Sequence, residues 1–256
     1  MYTHALLRLP NHDFAAGLTQ SREGVPDYES ALEQHQRYCV ALSECGLSLT
    51  ILPADPRHPD GCFVEDTALL TPLGAILMRP GAPSRQGEVH AIAAALRGLF
   101  REIPQIFDPG TVDAGDVCDA DGYFLIGLST RTNEEGARQL AGFLGDLGYP
   151  SSLVDIRAID GLLHLKSGIA WLGDGRMVVT PEIPRTPALA PYELIELPAA
   201  ERYAANCLRV NDRVLVADGY PRTRAAIEAC GYETIALEMS EFRKMDGGLS
   251  CLSLRF

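Results

Sequence analysis

An α/β architecture of repeated ββαβ modules is the fold class this sequence predicts, and three observations predict it. Four turn signals, Thr71-Pro72-Leu73-Gly74, Asp121-Gly122, Gly173-Asp174-Gly175 and Asn211-Asp212, each sit between short apolar runs and read as hairpins. They recur at roughly 40–50 residue intervals, the spacing of repeated supersecondary units. Helical patterns follow the first, second and fourth hairpins, and a strand and helix at the N-terminus, joined by a strand at the C-terminus, supply one more unit. About five modules result, and a chain whose two ends meet in one module closes a ring that leaves no sheet edge exposed. A single open mixed sheet fits the same periodicity, so spacing alone leaves both arrangements standing.

Taken in order, Tyr2 to Leu9 reads as a strand, and Pro10 to Pro26 is a loop long enough to be a lid, with Phe14 to Glu23 as its lid residues. Asp27 caps a helix that runs to about Cys45 and stops at Gly46. A strand from Ser48 to Leu52 leads into a proline-rich irregular segment, Pro53 to Gly61. Helices are predicted over Gly87 to Phe100, over Asn133 to Leu147 behind the capping box Thr132-x-x-Glu135, and over Thr223 to Cys230. After the third hairpin only a short helix, Pro198 to Tyr203, fits. At the C-terminus, Gly247-Gly248 reads as a turn of permissive backbone that delivers Cys251 to the head of a strand with Leu252, Leu254 and Phe256 on one face.

Composition bounds the function. The chain has 256 residues, 46% hydrophobic and 22% charged, which suits one folded domain spanning residues 1–256 and argues against disorder. A formal net charge of −12 argues against nucleic acid and anionic membrane as partners, since both require a basic footprint, and is compatible with a small cationic substrate. No apolar run has the length of a membrane span and the N-terminus lacks a signal-peptide plan, so a cytoplasmic protein is expected. The 7 cysteines form no CxxC pair and read as reduced thiols. No metal and no cofactor are expected, because the histidines show no ligand spacing; His35 and Cys39, one helical turn apart, read as packing.

Several stretches place polar groups where regular structure has no need of them. Cys251 is either a nucleophile or a buried structural thiol, and the choice depends on whether a His and an acid accompany it. Glu65-Asp66 ends an apolar strand, where adjacent residues point to opposite faces, so one of the two serves a given cavity or both are solvated. Asp113 lies beside Ala114 and Gly115, which clear space for a ligand; a tight turn is the other reading. His164 interrupts an apolar run and, taken alone, reads as a satisfied core histidine sooner than as a functional one. Arg85 and Arg131 each precede a helix and together form two guanidinium forks able to clamp a carboxylate. A thiol, a His, acids and paired arginines are what attack on a guanidinium carbon requires.

These motifs are specific as a set. Gly17-Leu18-Thr19, Val25-Pro26-Asp27-Tyr28, Pro59-Asp60, Phe63-Val64-Glu65-Asp66, Arg79-Pro80-Gly81 with Ser84-Arg85, Val112-Asp113-Ala114-Gly115-Asp116, Arg131-Thr132-Asn133, Leu163-His164-Leu165-Lys166, Tyr203 to Cys207, Gly219 to Thr223 and Met245 to Cys251 span nearly the whole chain. The sequence resembles the dimethylarginine dimethylaminohydrolases of the guanidino-group-modifying (pentein) superfamily, in their short bacterial form. The resemblance implies a five-bladed α/β propeller with pseudo-fivefold symmetry and a central active site. It implies Cys251 as nucleophile, His164 as general acid and base, and Asp113 as the acid that holds the guanidinium, a position where close bacterial relatives carry Glu and other branches Asp. Glu65 and Asp66 become the acidic pair of the pocket, with Asp66 on a guanidinium nitrogen. Arg85 and Arg131 become the α-carboxylate site, and Leu18, Asp60 and the Met245 backbone hold the amino-acid end.

The implied reaction is hydrolysis of asymmetric dimethylarginine or monomethylarginine to citrulline and an alkylamine through a cysteine thiouronium intermediate. A deiminase acting on arginine, agmatine or another substituted arginine is the alternative. A papain-like hydrolase lacks its signature around Cys251, and a non-enzymatic binding propeller has no need of Cys251, His164 and paired acids together. The partner is a small cationic amino acid; a homodimer is compatible with this reading.

Overall fold

A computed structural model describes all of residues 1–256. The chain begins with β1 (His4–Arg8), α1 (Tyr28–Glu44) and β2 (Ser48–Leu52). The second module holds β3 (Ala68–Thr71), β4 (Gly74–Leu77) and α2 (Val89–Leu96), and the third β5 (Val117–Asp119), β6 (Phe124–Leu128), α3 (Glu134–Asp146) and β7 (Ser151–Asp155). The fourth holds β8 (Ile169–Gly173), β9 (Arg176–Val179) and β10 (Glu193–Glu196), and the fifth β11 (Leu208–Val210), β12 (Arg213–Ala217), α4 (Pro221–Ala229) and β13 (Glu233–Leu237). After α5 (Ser240–Arg243), β14 (Leu254–Arg255) returns to pair antiparallel with β1, Ala5 opposite Arg255.

Each module is a separate sheet of one design, an inner strand antiparallel to the middle strand and an outer strand parallel to it. In the second module the outer strand shrinks to a single parallel bridge between Leu77 and Gln105. The open mixed sheet is therefore overturned.

Strand period decides the matter physically. Successive side chains on a strand face opposite ways, and here the two faces feed two different cores. Ala5 and Leu7 pack toward the fifth module while Leu6 packs toward the second. Phe124 and Ile126 join the second module's Leu69 and Ile76; Leu125 joins the fourth module's Ile169 and Met177. Ala170, Leu172 and Val178 meet Val214 and Val216, and Leu215 turns back toward Leu7. Each core is thus shared by neighbouring blades, and the fifth blade shares one with the first. The result is a five-bladed α/β propeller closed by its own termini.

Local chemistry forms the elements as the sequence indicates, with five corrections. The Asp27 carboxylate accepts from Ser30 N–H at 2.9 Å and Gly46 ends the helix at φ 89°. The hairpins turn through Asp121, Asp174 and Asn211 at φ of 61°, 52° and 57°, the left-handed region that short Asx side chains tolerate. First, the helix expected from Gly87 is preceded by a 3₁₀ turn, Pro83–Glu88, and ends at Leu96. Second, α3 is capped by Asn133, which accepts from Gly136 N–H; Thr132 is not the cap, since its hydroxyl is drawn to Asp116. Third, the fourth module bridges β9 to β10 with a 3₁₀ turn at Pro187–Leu189, and Ala199–Ala205 instead leads into the fifth. Fourth, Phe14 is core, packed on Phe63 and Phe242, so the lid proper begins beyond it. Fifth, Leu252 lies in a 3₁₀ turn and packs in a different core from Leu254, so the two do not share a face.

Candidate active site

Every inner strand is led in by a 3₁₀ turn: Val64–Thr67, Ala114–Asp116, Leu165–Ser167, Ala199–Ala205 and Ser250–Leu252. These five turns pack around the pseudo-fivefold axis. Because they begin the strands at one end of the ring, the polar residues in and just before them converge.

Asp66, Asp113 and His164, from three modules, have ligating atoms within 4.8 Å of one another. His164 Nε2 lies 3.1 Å from Asp113 Oδ2. The other oxygen of Asp113 accepts from Gly81 N–H at 2.7 Å. Asp66 accepts from Arg85 Nη1 at 2.6 Å and from Gly115 N–H at 3.0 Å. The space Gly115 clears belongs to these groups and not to a ligand beside Asp113: a Cβ there would stand 2.8 Å from His164 Nδ1 and 2.9 Å from Asp66 Oδ1. The three ligating groups could meet a metal, a cluster no sequence spacing reveals, although each already holds another protein group.

Cys251 is buried in the last of the five turns, with the Gly248 N–H directed at Sγ from 3.4 Å. Gly247 and Gly248 do not use the positive φ their composition permits; Asp246 takes it, at φ 57°. Their lack of a side chain serves packing instead, since a Cβ on Gly247 would meet Phe63 at 2.3 Å and one on Gly248 would meet Asn206 at 2.5 Å.

Glu65 and Asp66 lie in a 3₁₀ turn, not at a strand end, and diverge. Glu65 accepts from Lys166 Nζ at 2.6 Å and from Ser250 Oγ at 2.7 Å, with Arg255 at 3.4 Å, so both its oxygens serve groups of this chain. Asn206 completes the circuit, donating to Ser250 Oγ and to the Lys166 carbonyl. This network joins the turns beneath Cys251.

Arg85 is held by Glu88, Asp66 and the Phe63 carbonyl. Arg131 is different. Its Nη1 is buried with no hydrogen-bond acceptor, and Asp113 Oδ2 is 3.8 Å away. A buried guanidinium donor without a partner is costly unless a ligand oxygen fills the place. Asp60 accepts the Leu18 N–H on both oxygens, at 3.0 and 3.1 Å, and a Cβ on Gly17 would meet Asp60 at 2.4 Å and Met245 at 3.1 Å. Leu18, Asp60 and Met245 therefore meet at one place. The lid is fastened there by Asp246, which accepts from Gln20 N–H and Thr19 Oγ1, and by the Glu23–Arg243 pair. Beside it opens a cavity of about 700 Å³ lined in part by Leu163, Tyr203, Gly247 and Gly248.

Electrostatics divides the groups. Burial pushes the Cys251 thiol up to about 12, and Glu65 and Asp66 add to the rise. Burial alone would lower His164, but Asp66, the hydrogen bond to Asp113 and the charge of Asp116 outweigh it and lift the ring to about 9. Burial raises Asp66, yet His164, Arg85 and the Gly115 amide more than reverse that and hold it at about 2. At neutral pH the protein groups of the site thus comprise a neutral thiol, an imidazolium and an ionised Asp66.

Sequence reasoning singled out Cys251, His164, Asp113, Asp66, Arg85 and Arg131 but missed Gly81 as a donor to Asp113, Glu88 as the partner of Arg85, and Asp116. Only Glu88 left a local signal, lying one helical turn from Arg85.

No protein-family model matches the chain. The N(G),N(G)-dimethylarginine dimethylaminohydrolase of Pseudomonas aeruginosa is 44% identical to it over 257 residues, 100% of both chains. The protein of the same name in Streptomyces coelicolor is 34% identical over 98% of this chain and 96% of its own. Among solved structures, the P. aeruginosa enzyme, as a cysteine-to-serine mutant complexed with citrulline, matches over 100% of both chains with a TM-score of 0.96. Full-length identity at this level, on a shared propeller, places this chain in the dimethylarginine dimethylaminohydrolase family.

Proposed function

We propose that the chain, as one catalytic domain of residues 1–256 in the cytoplasm, hydrolyses Nω-methylated arginine to citrulline and dimethylamine or methylamine. The observation that carries this reading is the cluster of an imidazolium and two carboxylates within 4.8 Å of one another, with a buried neutral thiol close enough to feel the charge of Asp66 and an unsatisfied guanidinium donor beside Asp113.

The substrate's α-carboxylate meets Arg131, with Arg85 behind it, and its ammonium end meets Asp60, Leu18 and the Met245 backbone. Its guanidinium lies against Asp66 and Asp113. Arrival of that cation offsets the acids that hold the Cys251 proton, so the thiol ionises and its proton leaves to solvent. The thiolate attacks the guanidinium carbon; His164 gives its proton to the substituted nitrogen, and the alkylamine departs as the C–N bond breaks. A thiouronium remains on Cys251. Neutral His164 then takes a proton from water as the hydroxide adds to the same carbon. Collapse breaks the C–S bond, the hydroxyl proton passes to the departing sulfur to restore the Cys251 thiol, and citrulline is left with His164 again an imidazolium. Glu65, fully engaged with Lys166 and Ser250, holds the floor and keeps negative charge near the thiol.

The test is citrulline release from asymmetric dimethylarginine, run beside unmodified arginine and a Cys251→Ser variant. Product from the methylated substrate alone, lost in the variant, is expected. Product from arginine at a comparable rate would make the protein a deiminase instead.

A further inference from the structure

Behind Asp113 and His164 lies a carboxylate with no place in the reaction above. Asp116 is completely buried, and its oxygens receive three hydrogen bonds. Oδ2 accepts from Ser129 Oγ and from Thr132 Oγ1, both at 2.6 Å, and Oδ1 accepts from the Leu165 N–H at 2.9 Å.

Each donor continues into a different part of the site. Thr132 Oγ1 accepts from Asp113 N–H at 3.2 Å. Ser129 Oγ accepts from Arg131 N–H at 2.9 Å and from Thr132 N–H at 3.1 Å. Leu165 follows His164 directly. A hydroxyl has one proton, and both hydroxyls here have given theirs to Asp116, which leaves their lone pairs fixed on the amides of Asp113 and Arg131. An amide side chain could take both hydroxyls on its one oxygen only by turning its NH2 against the Leu165 N–H, so a group that accepts on both atoms is needed to hold all three donors. The surroundings leave little slack, as a Cβ on Gly127 would come 3.2 Å from Asp116 Oδ1 and 2.8 Å from Leu165 Cβ.

We propose that Asp116 is a positioning residue for the hydrolysis, holding Asp113, Arg131 and His164 in register through Thr132, Ser129 and the Leu165 amide. The inference rests on the methylarginine-hydrolase reading. A role in folding alone would leave the pH profile of the reaction unmoved, whereas a charge kept here against burial, which raises the Asp116 pKa to about 6, also acts on His164. What the charge adds is direction to two hydroxyls and a third acid facing His164. His164 faces Asp66, Asp113 and Asp116, and the cations against those acids are Arg85 and Arg131.

The experiment follows citrulline formation from asymmetric dimethylarginine by the wild type and by Asp116→Asn, Ser129→Ala and Thr132→Val, with folding checked by thermal melting. Asp116→Asn keeps the shape but sets its NH2 against either the two hydroxyls or the Leu165 N–H, and removes a charge from His164. Its kcat is expected to fall by about tenfold or more, with the basic limb of the kcat–pH profile moved down by about half a unit or more. Ser129→Ala is expected to raise KM several-fold, by roughly 3 to 10, at little cost in kcat, and Thr132→Val to lower kcat. A folded Asp116→Asn enzyme within about twofold of wild type in kcat and KM, or one slowed with its limb unmoved, overturns the proposal. If Asp116→Asn does not fold, an unchanged KM in Ser129→Ala together with an unchanged kcat in Thr132→Val overturns it. A wild type that releases no citrulline removes the reaction itself; an active wild type with unperturbed variants removes only the positioning role.

Discussion

His164 Nε2 and Asp113 Oδ2 stand 3.1 Å apart although 51 residues separate them in the chain. The same Asp113 oxygen is 3.8 Å from Arg131 Nη1, so one carboxylate addresses both the proton carrier and a substrate-facing cation.

Asp113→Asn keeps the shape and an acceptor for Gly81 but removes the charge. We expect kcat to fall by about 100-fold or more, the scale of a lost general acid–base arrangement, with a rise in KM. Steady-state kinetics on asymmetric dimethylarginine checks this, and a variant retaining more than about a tenth of wild-type kcat would contradict the role given to Asp113.

Cys251 offers a titration. Burial pushes the thiol up to about 12, so without added ligand alkylation by iodoacetamide should stay slow through neutral pH and rise only in strong base. A non-reactive cationic ligand in the guanidinium site should move the alkylation profile to lower pH. A bound ligand can also shield the thiol, so the midpoint, not the rate, is the quantity to read; an unmoved midpoint would sink substrate-assisted ionisation.

Gly115→Ala puts a methyl 2.8 Å from His164 Nδ1 and 2.9 Å from Asp66 Oδ1. Either group must shift, and a displacement of that size costs about 100-fold in a positioned reaction. We expect activity to collapse while the cooperative melt survives; a fully active variant would show that the ring and the carboxylate are not held where they stand.

Lys166→Met removes the nearer of the two cations on Glu65, whose side chain is 4% exposed, and leaves Arg255 at 3.4 Å. Because one cation remains, the loss should fall below the roughly 3 kcal/mol of a fully unpaired buried carboxylate, at about 1–2 kcal/mol. Urea unfolding should register the loss, and Glu65→Gln in the same chain should restore much of it. Equal losses for the single and the double variant would mean the pair is not coupled.

His164 also makes stability depend on pH. Its proton affinity is raised from 6.5 to about 9, so the folded protein binds a proton that the unfolded chain releases. The contribution is fully present below pH 6.5 and lost as pH rises through 9, a fall on the order of 3 kcal/mol. Unfolding measured across that window should show the decline in the wild type and a flatter curve in His164→Gln.

Much of this architecture is local and therefore legible in the sequence. Asp27 and Gly46 bound a helix through bonds made within a turn or two, and Asp121 and Asn211 turn hairpins because short polar side chains tolerate positive φ. Cys251, His164, Asp113 and the two arginines could be picked out as candidates, because charge and thiol in otherwise apolar or glycine-rich stretches need a reason, but their roles came from the family resemblance. Tertiary structure decided the rest. Thr132 has the chemistry of a cap, but Asp116 competes for its hydroxyl and Asn133 caps α3 in its place. Glu65 and Asp66 look alike in sequence and part company only when Lys166 and Arg85, from different turns, claim one each. The site itself exists because alternate strand residues fill cores on both sides of every blade, which closes the ring and brings the turns before β3, β5, β8 and β14 to one axis. No spacing along the chain encodes that convergence, since it depends on closure between residues as far apart as Ala5 and Arg255.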